Sequence, residues 1–393
     1  MTFKQVRYYI FLKDIFLLSV TSFGGPQAHL AMILDMMVRK RAYLREQDLI
    51  ELYALCQIIP GPTSTQTVTS IGYKIGGAGL AYLTLLVWIL PAFLFMTALA
   101  ILVSFLQEMN FTLEGLRYIQ PIAVGIVAYS AYKISSSVIS SKTGYFLMIL
   151  AALASYYMKS PAAFPVLLIA GGMITAFKYQ KQQKQDKSPL KINWTNFALW
   201  AIVFIGVAVI GAVTKSHPIR IFENFYRSGS LIFGGGQVLV PLLYKEFVEF
   251  KQFLSSQEFI SGYGFVQAIP GPTFSFSSYV GALILRDWGI GGQILGAIMA
   301  TAGIFLPGTF FIFFVIRIWD DLKKYRIVKA SLEGINAVSS GLVIAATFLL
   351  FEPIEGNFIN YTLLLGTACL LFFTKIRTPY IILAGLIMGL IIS

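Results

Sequence analysis

Twice in this chain, 210 residues apart, an apolar stretch is interrupted by the same tripeptide. Gln57-Ile58-Ile59-Pro60-Gly61-Pro62-Thr63 returns as Gln267-Ala268-Ile269-Pro270-Gly271-Pro272-Thr273. A second motif keeps the same offset: Phe23-Gly24-Gly25-Pro26-Gln27 returns as Phe233-Gly234-Gly235-Gly236-Gln237. Further on, Leu90-Pro91 aligns with Leu306-Pro307, and Leu113-Glu114-Gly115 with Leu332-Glu333-Gly334. Two related halves follow: residues 1–178 and 219–393, joined by 179–218, a basic linker with one connecting span.

Composition fixes the solvent. The chain is 57% hydrophobic and 12% charged, against about 45–50% and about 25% for a soluble protein. A soluble enzyme, a disordered protein and a nucleic-acid binder are excluded. The expected fold class is an all-α polytopic membrane protein. Nine stretches are apolar enough to span, at about 20 residues per crossing: 81–107, 116–132, 144–158, 162–177, 196–213, 293–318, 330–351, 359–373 and 380–392. Four further apolar regions are broken: 8–38 and 219–245 by glycine, 48–75 and 256–284 by Pro-Gly-Pro. Proline and glycine stop a helix and free backbone groups. In hydrocarbon this is tolerated only where the backbone is buried in protein or lines a wet cavity. No cleavable signal is expected. Lys4, Arg7 and Lys13 flank the first apolar run, but no small-residue cleavage site follows at the right distance.

The net charge of +12 reads best as topology. The linker holds Lys178, Lys181, Lys184, Lys187 and Lys191 with one acid, Asp186, and is placed in the cytoplasm. Counting spans from it puts Lys74, Lys133, Lys142 and the cluster Arg317, Lys323, Lys324, Arg326, Lys329 inside. Lys375 and Arg377 also fall inside, and Glu108, Glu114, Glu352 and Glu355 outside. Lys215 and Arg220 are the exceptions. Equivalent spans 81–107 and 293–318 then run in opposite directions, so the repeats are inverted, as in many secondary transporters. The loop from Arg39 to Arg45 stays inside if the broken regions are re-entrant hairpins. Thirteen full crossings are the competing picture. Both put the N-terminus in the cytoplasm and the C-terminus outside.

Each break starts a short helix inside the membrane. Helix N-termini carry unpaired N–H donors and about half a positive charge, and bind anions without lysine or arginine. Proline at a first helical position, as at Pro26 and Pro62, costs no hydrogen bond. Glycine lets a ligand approach the backbone. Behind the breaks stand Thr63, Ser64, Thr65, Gln66 and Thr67 in one half, and Thr273, Ser275, Ser277 and Ser278 in the other. Gln27 and Gln237 add amides. The expected anion site comprises Gly24, Gly25, Pro26, Gln27, Pro60, Gly61, Pro62, Thr63, Ser64 and Thr65 with Gly234, Gly235, Gly236, Gln237, Pro270, Gly271, Pro272, Thr273 and Ser275. Inverted repeats bring the four helix starts to one point near the midplane.

At these residues the sequence resembles the chromate ion transporter family, over nearly the whole chain. It looks like the long-chain, two-domain form rather than the half-length form that works as a pair; homodimerisation stays open. Gly236 departs from the pattern where the first half has Pro26. The resemblance implies a multi-pass protein of the bacterial inner membrane that exports chromate and so confers chromate resistance. Sulfate, a tetrahedral dianion of similar shape, is the natural competitor. The motifs indicate an anion; chromate comes from the resemblance alone.

Other ionisable residues in or near apolar stretches are Asp14, His29, Asp35, Glu51, Glu114 and Glu333. His29, two residues past Gln27, and Glu51, before Pro-Gly-Pro, are the proton-coupling candidates. Asp14 reads as a local pair with Lys13. No cofactor is expected. Two cysteines, Cys56 and Cys369, and two histidines, His29 and His217, offer no disulfide scaffold or metal site. No Walker motif is present. The rival functions are uptake of sulfate or another oxyanion, a passive anion channel, and a membrane enzyme. The last would need a nucleophile beside a base, which the serines and threonines behind Pro62 and Pro272 lack, His29 apart.

Overall fold

The computed structural model describes residues 3–23, 25–109, 116–139, 141–158, 163–177, 193–233, 236–319, 325–374 and 376–392. The basic linker, Glu114, Lys323, Lys324, Lys375, Gly24, Gly234 and Gly235 lie outside them, as do the side chains of Pro26, Gln27 and Gln237.

The described residues form sixteen α-helices and no strand. In repeat 1 these are α1 (Phe3–Thr21), α2 (Gly25–Ile33), α3 (Glu46–Ile58), α4 (Thr63–Glu108), α5 (Ile119–Val138), α6 (Lys142–Tyr157) and α7 (Ala163–Ala176). The connecting helix is α8 (Thr195–Thr214). Repeat 2 holds α9 (His217–Leu231), α10 (Gly236–Tyr244), α11 (Ser256–Ala268), α12 (Phe276–Ile284), α13 (Gly289–Val315), α14 (Arg326–Phe351), α15 (Phe358–Phe373) and α16 (Thr378–Ile392). Each of the nine apolar stretches falls on one helix. Among the described residues, four helices are long and apolar enough to cross a membrane: Thr63–Glu108, Thr195–Thr214, Arg286–Val315 and Ala330–Phe351. Polar caps set several starts. The Ser141 hydroxyl accepts from the Gly144 amide at 2.9 Å, and Ser255 and Glu258 exchange hydrogen bonds ahead of α11, a capping box.

The backbone repeats itself as the sequence does. α2 runs on as a π-helix over Leu34–Lys40, and α10 as one over Lys245–Phe250. Ala42 and Gln252 follow these at φ 49° and 53°. Gly61 and Gly271 sit at φ 120° and 110°, and Gly77 and Gly289 at 73° and 69°. Gly77 divides α4 into an inner helix behind Pro-Gly-Pro and an outer apolar one. Gly289 does the same between α12 and α13.

The chain forms two compact units that cut across the repeats. The first holds Met1–Glu108, Asn193–Ser230 and Ile269–Ile316; the second holds Met109–Ile192, Leu231–Ala268 and Arg317–Ser393. In the first, α12 packs on α13 and α4, and Gly281 meets Gly296 backbone to backbone. Trp200 of α8 stacks near Phe311 of α13 at 5.0 Å. In the second, α14 packs on α5, α6 and α7. Small residues again allow the approach: Gly334 faces Gly171, and Gly341 faces the Met148 carbonyl.

Asp14 does not pair with Lys13. Adjacent helical residues point apart. Its carboxylate accepts from Arg41 at 2.8 Å and from the Tyr43 hydroxyl at 2.9 Å, which ties the loop after the π-helix to α1.

Candidate functional site

The two Pro-Gly-Pro loops both fall in the first compact unit. The positive φ of Gly61 and Gly271 lies in a region that side-chain-bearing residues avoid, and it lets the chain turn between two helices within three residues. Pro62 acts as the cap residue of α4 rather than its first helical residue: its carbonyl accepts from the Gln66 amide at 2.9 Å. Pro272 does likewise for the 3₁₀ turn Thr273–Ser275 that leads into α12, accepting from the Ser275 amide at 2.9 Å. Each turn leaves the first N–H groups of the following helix without an intrahelical acceptor.

Each loop seats against the other repeat. A Cβ on Gly61 would lie 3.2 Å from Gly308 Cα in α13, and one on Gly271 would lie 3.0 Å from Ala92 Cβ in α4. Ala92 follows Pro91, and Gly308 follows the aligned Pro307. The two contacts are therefore equivalent, with the repeats exchanged. The Gln66 amide nitrogen donates to the Pro60 carbonyl at 2.7 Å and the Gly308 carbonyl at 3.3 Å. It is spent on backbone and not offered to a ligand. The second loop is held from the opposite side, by the Gly271 amide donating to the Ser22 carbonyl at 2.9 Å. Ser22 ends α1 at the glycine break, so two of the expected breaks touch directly.

The hydroxyls divide by repeat. Thr67, Thr69 and Ser70 donate to carbonyls of their own helix four residues back, at 2.7–2.8 Å. Thr65 accepts from the Trp88 indole at 3.1 Å; Thr63 and Ser64 are buried. In repeat 2, Ser278 donates to the Ser275 carbonyl at 2.7 Å. The hydroxyls of Ser275 and Ser277 are fully buried with no hydrogen-bond partner, and so are those of Ser22 and of Thr301 on α13.

His29 stands on α2, 2% exposed. Its ring meets the Trp88 ring edge-on at 5.7 Å and lies against the Ser22 carbonyl. Neither ring nitrogen makes a hydrogen bond of normal geometry. Glu51 lies half-buried on α3, where the Gln47 amide donates to it at 3.4 Å. Asp35 pairs with Lys40 at 2.8 Å, and Glu333 accepts from the Ser141 hydroxyl.

Three of the four helix starts thus belong to the first unit: α2, α4 and the turn into α12. The fourth, α10, begins at the buried Gly236 in the second unit, where Ser339 of α14 donates to the Phe233 carbonyl before it at 3.3 Å. Sequence reasoning missed Gly308, Ala92, Trp88 and Thr301. The aligned Leu-Pro pairs were the available signal for the first two. No polar pattern marked the others.

The profile of the chromate transporter family matches residues 10–177 and 219–390. The chromate transport protein of Cupriavidus metallidurans is 25% identical over 99% of this chain and 93% of its own length. An uncharacterized transporter of Methanocaldococcus jannaschii is 24% identical over 95% of this chain and 92% of its own length. The chromate transport protein of Pseudomonas aeruginosa is 25% identical over 83% of this chain and 77% of its own length. No solved structure matches.

Proposed function

The chain belongs to the chromate transporter family, and we propose that it is a secondary transporter that exports chromate from the bacterial cytoplasm and confers resistance. The names of its relatives support a chromate transport role. The observation that carries the site assignment is the meeting of three helix starts in one unit, with the buried donors of Ser275 and Ser277 left unpaired. Free N–H groups and hydroxyls suit an oxyanion that needs donors on several sides. The anion site takes in Gly25, Pro60, Gly61, Pro62, Thr63, Pro270, Gly271, Pro272, Thr273, Ser275 and Ser277 of the first unit.

The repeats are inverted, with the N-terminus in the cytoplasm and the C-terminus outside, and alternating access comes from movement around the helix starts. A dianion leaving an inside-negative cell gains about 2.3 kcal/mol per charge per 100 mV. That is enough to drive export without ATP.

The test is flux of radiolabelled chromate in proteoliposomes under an imposed potential, with excess sulfate as competitor. Chromate accumulation on the positive side that resists sulfate supports the proposal. Flux of sulfate at the rate of chromate, or no chromate flux at any imposed potential, would sink it.

A further inference from the structure

His29 is tied to every helix start in the first unit. It belongs to α2, the first start. Its ring packs on Trp88, whose indole donates to Thr65 just past the second start. It lies against Ser22, whose carbonyl holds Gly271 before the third. A neutral imidazole carries one N–H and one lone pair, and here both are buried without a normal partner. Leaving such groups unpaired is costly unless something fills the place.

We infer that His29 is a direct ligand of the transported oxyanion and takes up a proton as the anion binds. The inference rests on the transport role proposed above. The ring N–H donates to one oxygen of the anion. A proton on the second nitrogen makes a second donor and offsets one negative charge of the bound anion. Nearby fixed charge does not compete for this role. Among the described charged side chains of α1, α2 with its π-helical extension, and α4, Arg7, Lys13, Arg39, Lys40, Lys74 and Glu108 are exposed. Asp35 is paired with Lys40, and the buried Asp14 with Arg41.

The chain has two histidines, and His217 is exposed at the start of α9. A His217→Gln protein therefore reports on His29 alone by imidazole ¹⁵N resonance. Titration with sodium chromate should shift that resonance saturably, and the ring should protonate at higher pH in saturating chromate than without it. In proteoliposomes, wild-type chromate KM should fall relative to that of His29→Asn by up to about tenfold for each unit from pH 8 to pH 6, the limit for one linked proton. Chromate's own titration is common to both proteins and cancels in the ratio. A protein that transports chromate while the resonance stays unmoved, or two parallel pH profiles, overturns the inference. Absence of chromate flux in the wild type instead removes the transport proposal, and this inference with it.

Discussion

Pro60-Gly61-Pro62 is held at its carbonyl by the Gln66 amide, whereas Pro270-Gly271-Pro272 is held at its amide by the Ser22 carbonyl. The backbone torsions are nearly the same, and the seats are equivalent glycine or alanine positions in the opposite repeat. The first loop is wholly buried and closed by its own side chains; the second is half-buried at Pro270, Gly271 and Thr273. The hydroxyls behind the first are largely committed to the protein, and two behind the second are free. The two loops thus share a backbone conformation and differ in how their polar groups are used. In the proposed site the first loop would be a fixed wall and the second the face that meets the anion.

The strongest way to break this comparison is to put side chains on the two glycines. Gly61→Val faces both a forbidden torsion and a Cβ 2.6 Å from the Gln66 amide nitrogen. Chromate flux should fall to background. Gly271→Val should also abolish flux while the protein still inserts. Gly271→Ala carries strain of about 1–3 kcal/mol against a milder neighbour and should retain measurable flux. Equal loss in Gly61→Ala and Gly271→Ala, at equal membrane insertion by fluorescence-detected size exclusion, would erase the distinction.

The next effect concerns the clamp. Gln66→Leu unpairs two buried carbonyls and should cost about 1–3 kcal/mol, read as a lowered Tm in detergent. Gly308→Ala puts a Cβ 2.7 Å from the same amide and should be rescued in part by Gln66→Ala. A coupling energy of about 0.5–3 kcal/mol is expected for groups in contact. Additive Tm changes in that cycle would show that the clamp does not hold the loop to α13.

The smallest effect is the most informative about the anion. Ser275→Ala and Ser277→Ala each remove a donor that has no protein partner. The expected outcome is a rise in chromate KM of about fivefold, one hydrogen bond of about 1 kcal/mol, with unchanged Tm. Thr67→Ala should leave KM alone. A drop in Tm without a change in KM for either serine would assign them to packing.

Much of this was legible in the chain. Nine apolar stretches became nine helices because length and hydropathy act locally. The breaks were marked by proline and glycine, and the repeat by the 210-residue offset that two motifs share. What could not be read was where each donor is spent. Thr67 and Ser275 are both hydroxyls behind Pro-Gly-Pro. Whether one folds back on its own helix is settled by rotamers and neighbours that no periodicity encodes. Gln66 stands among the same polar residues, yet its amide is spent on the Pro60 and Gly308 carbonyls. The compact units were equally hidden, because each takes segments from both repeats, and long-range pairing leaves no trace at a fixed spacing.

One pair of equivalent positions shows where the two halves cannot replace each other. Asp35 and Lys245 are 210 residues apart, each on a π-helix. Asp35 faces Lys40 at the surface, but Lys245 is 1% exposed and its ammonium donates to the Ser155 and Met158 carbonyls at the end of α6. A chain made of two copies of repeat 1 would set a carboxylate against those carbonyls, a buried charge with no partner. At this position the two halves are not interchangeable: the carbonyls at the end of α6 call for a donor, which lysine supplies and aspartate does not.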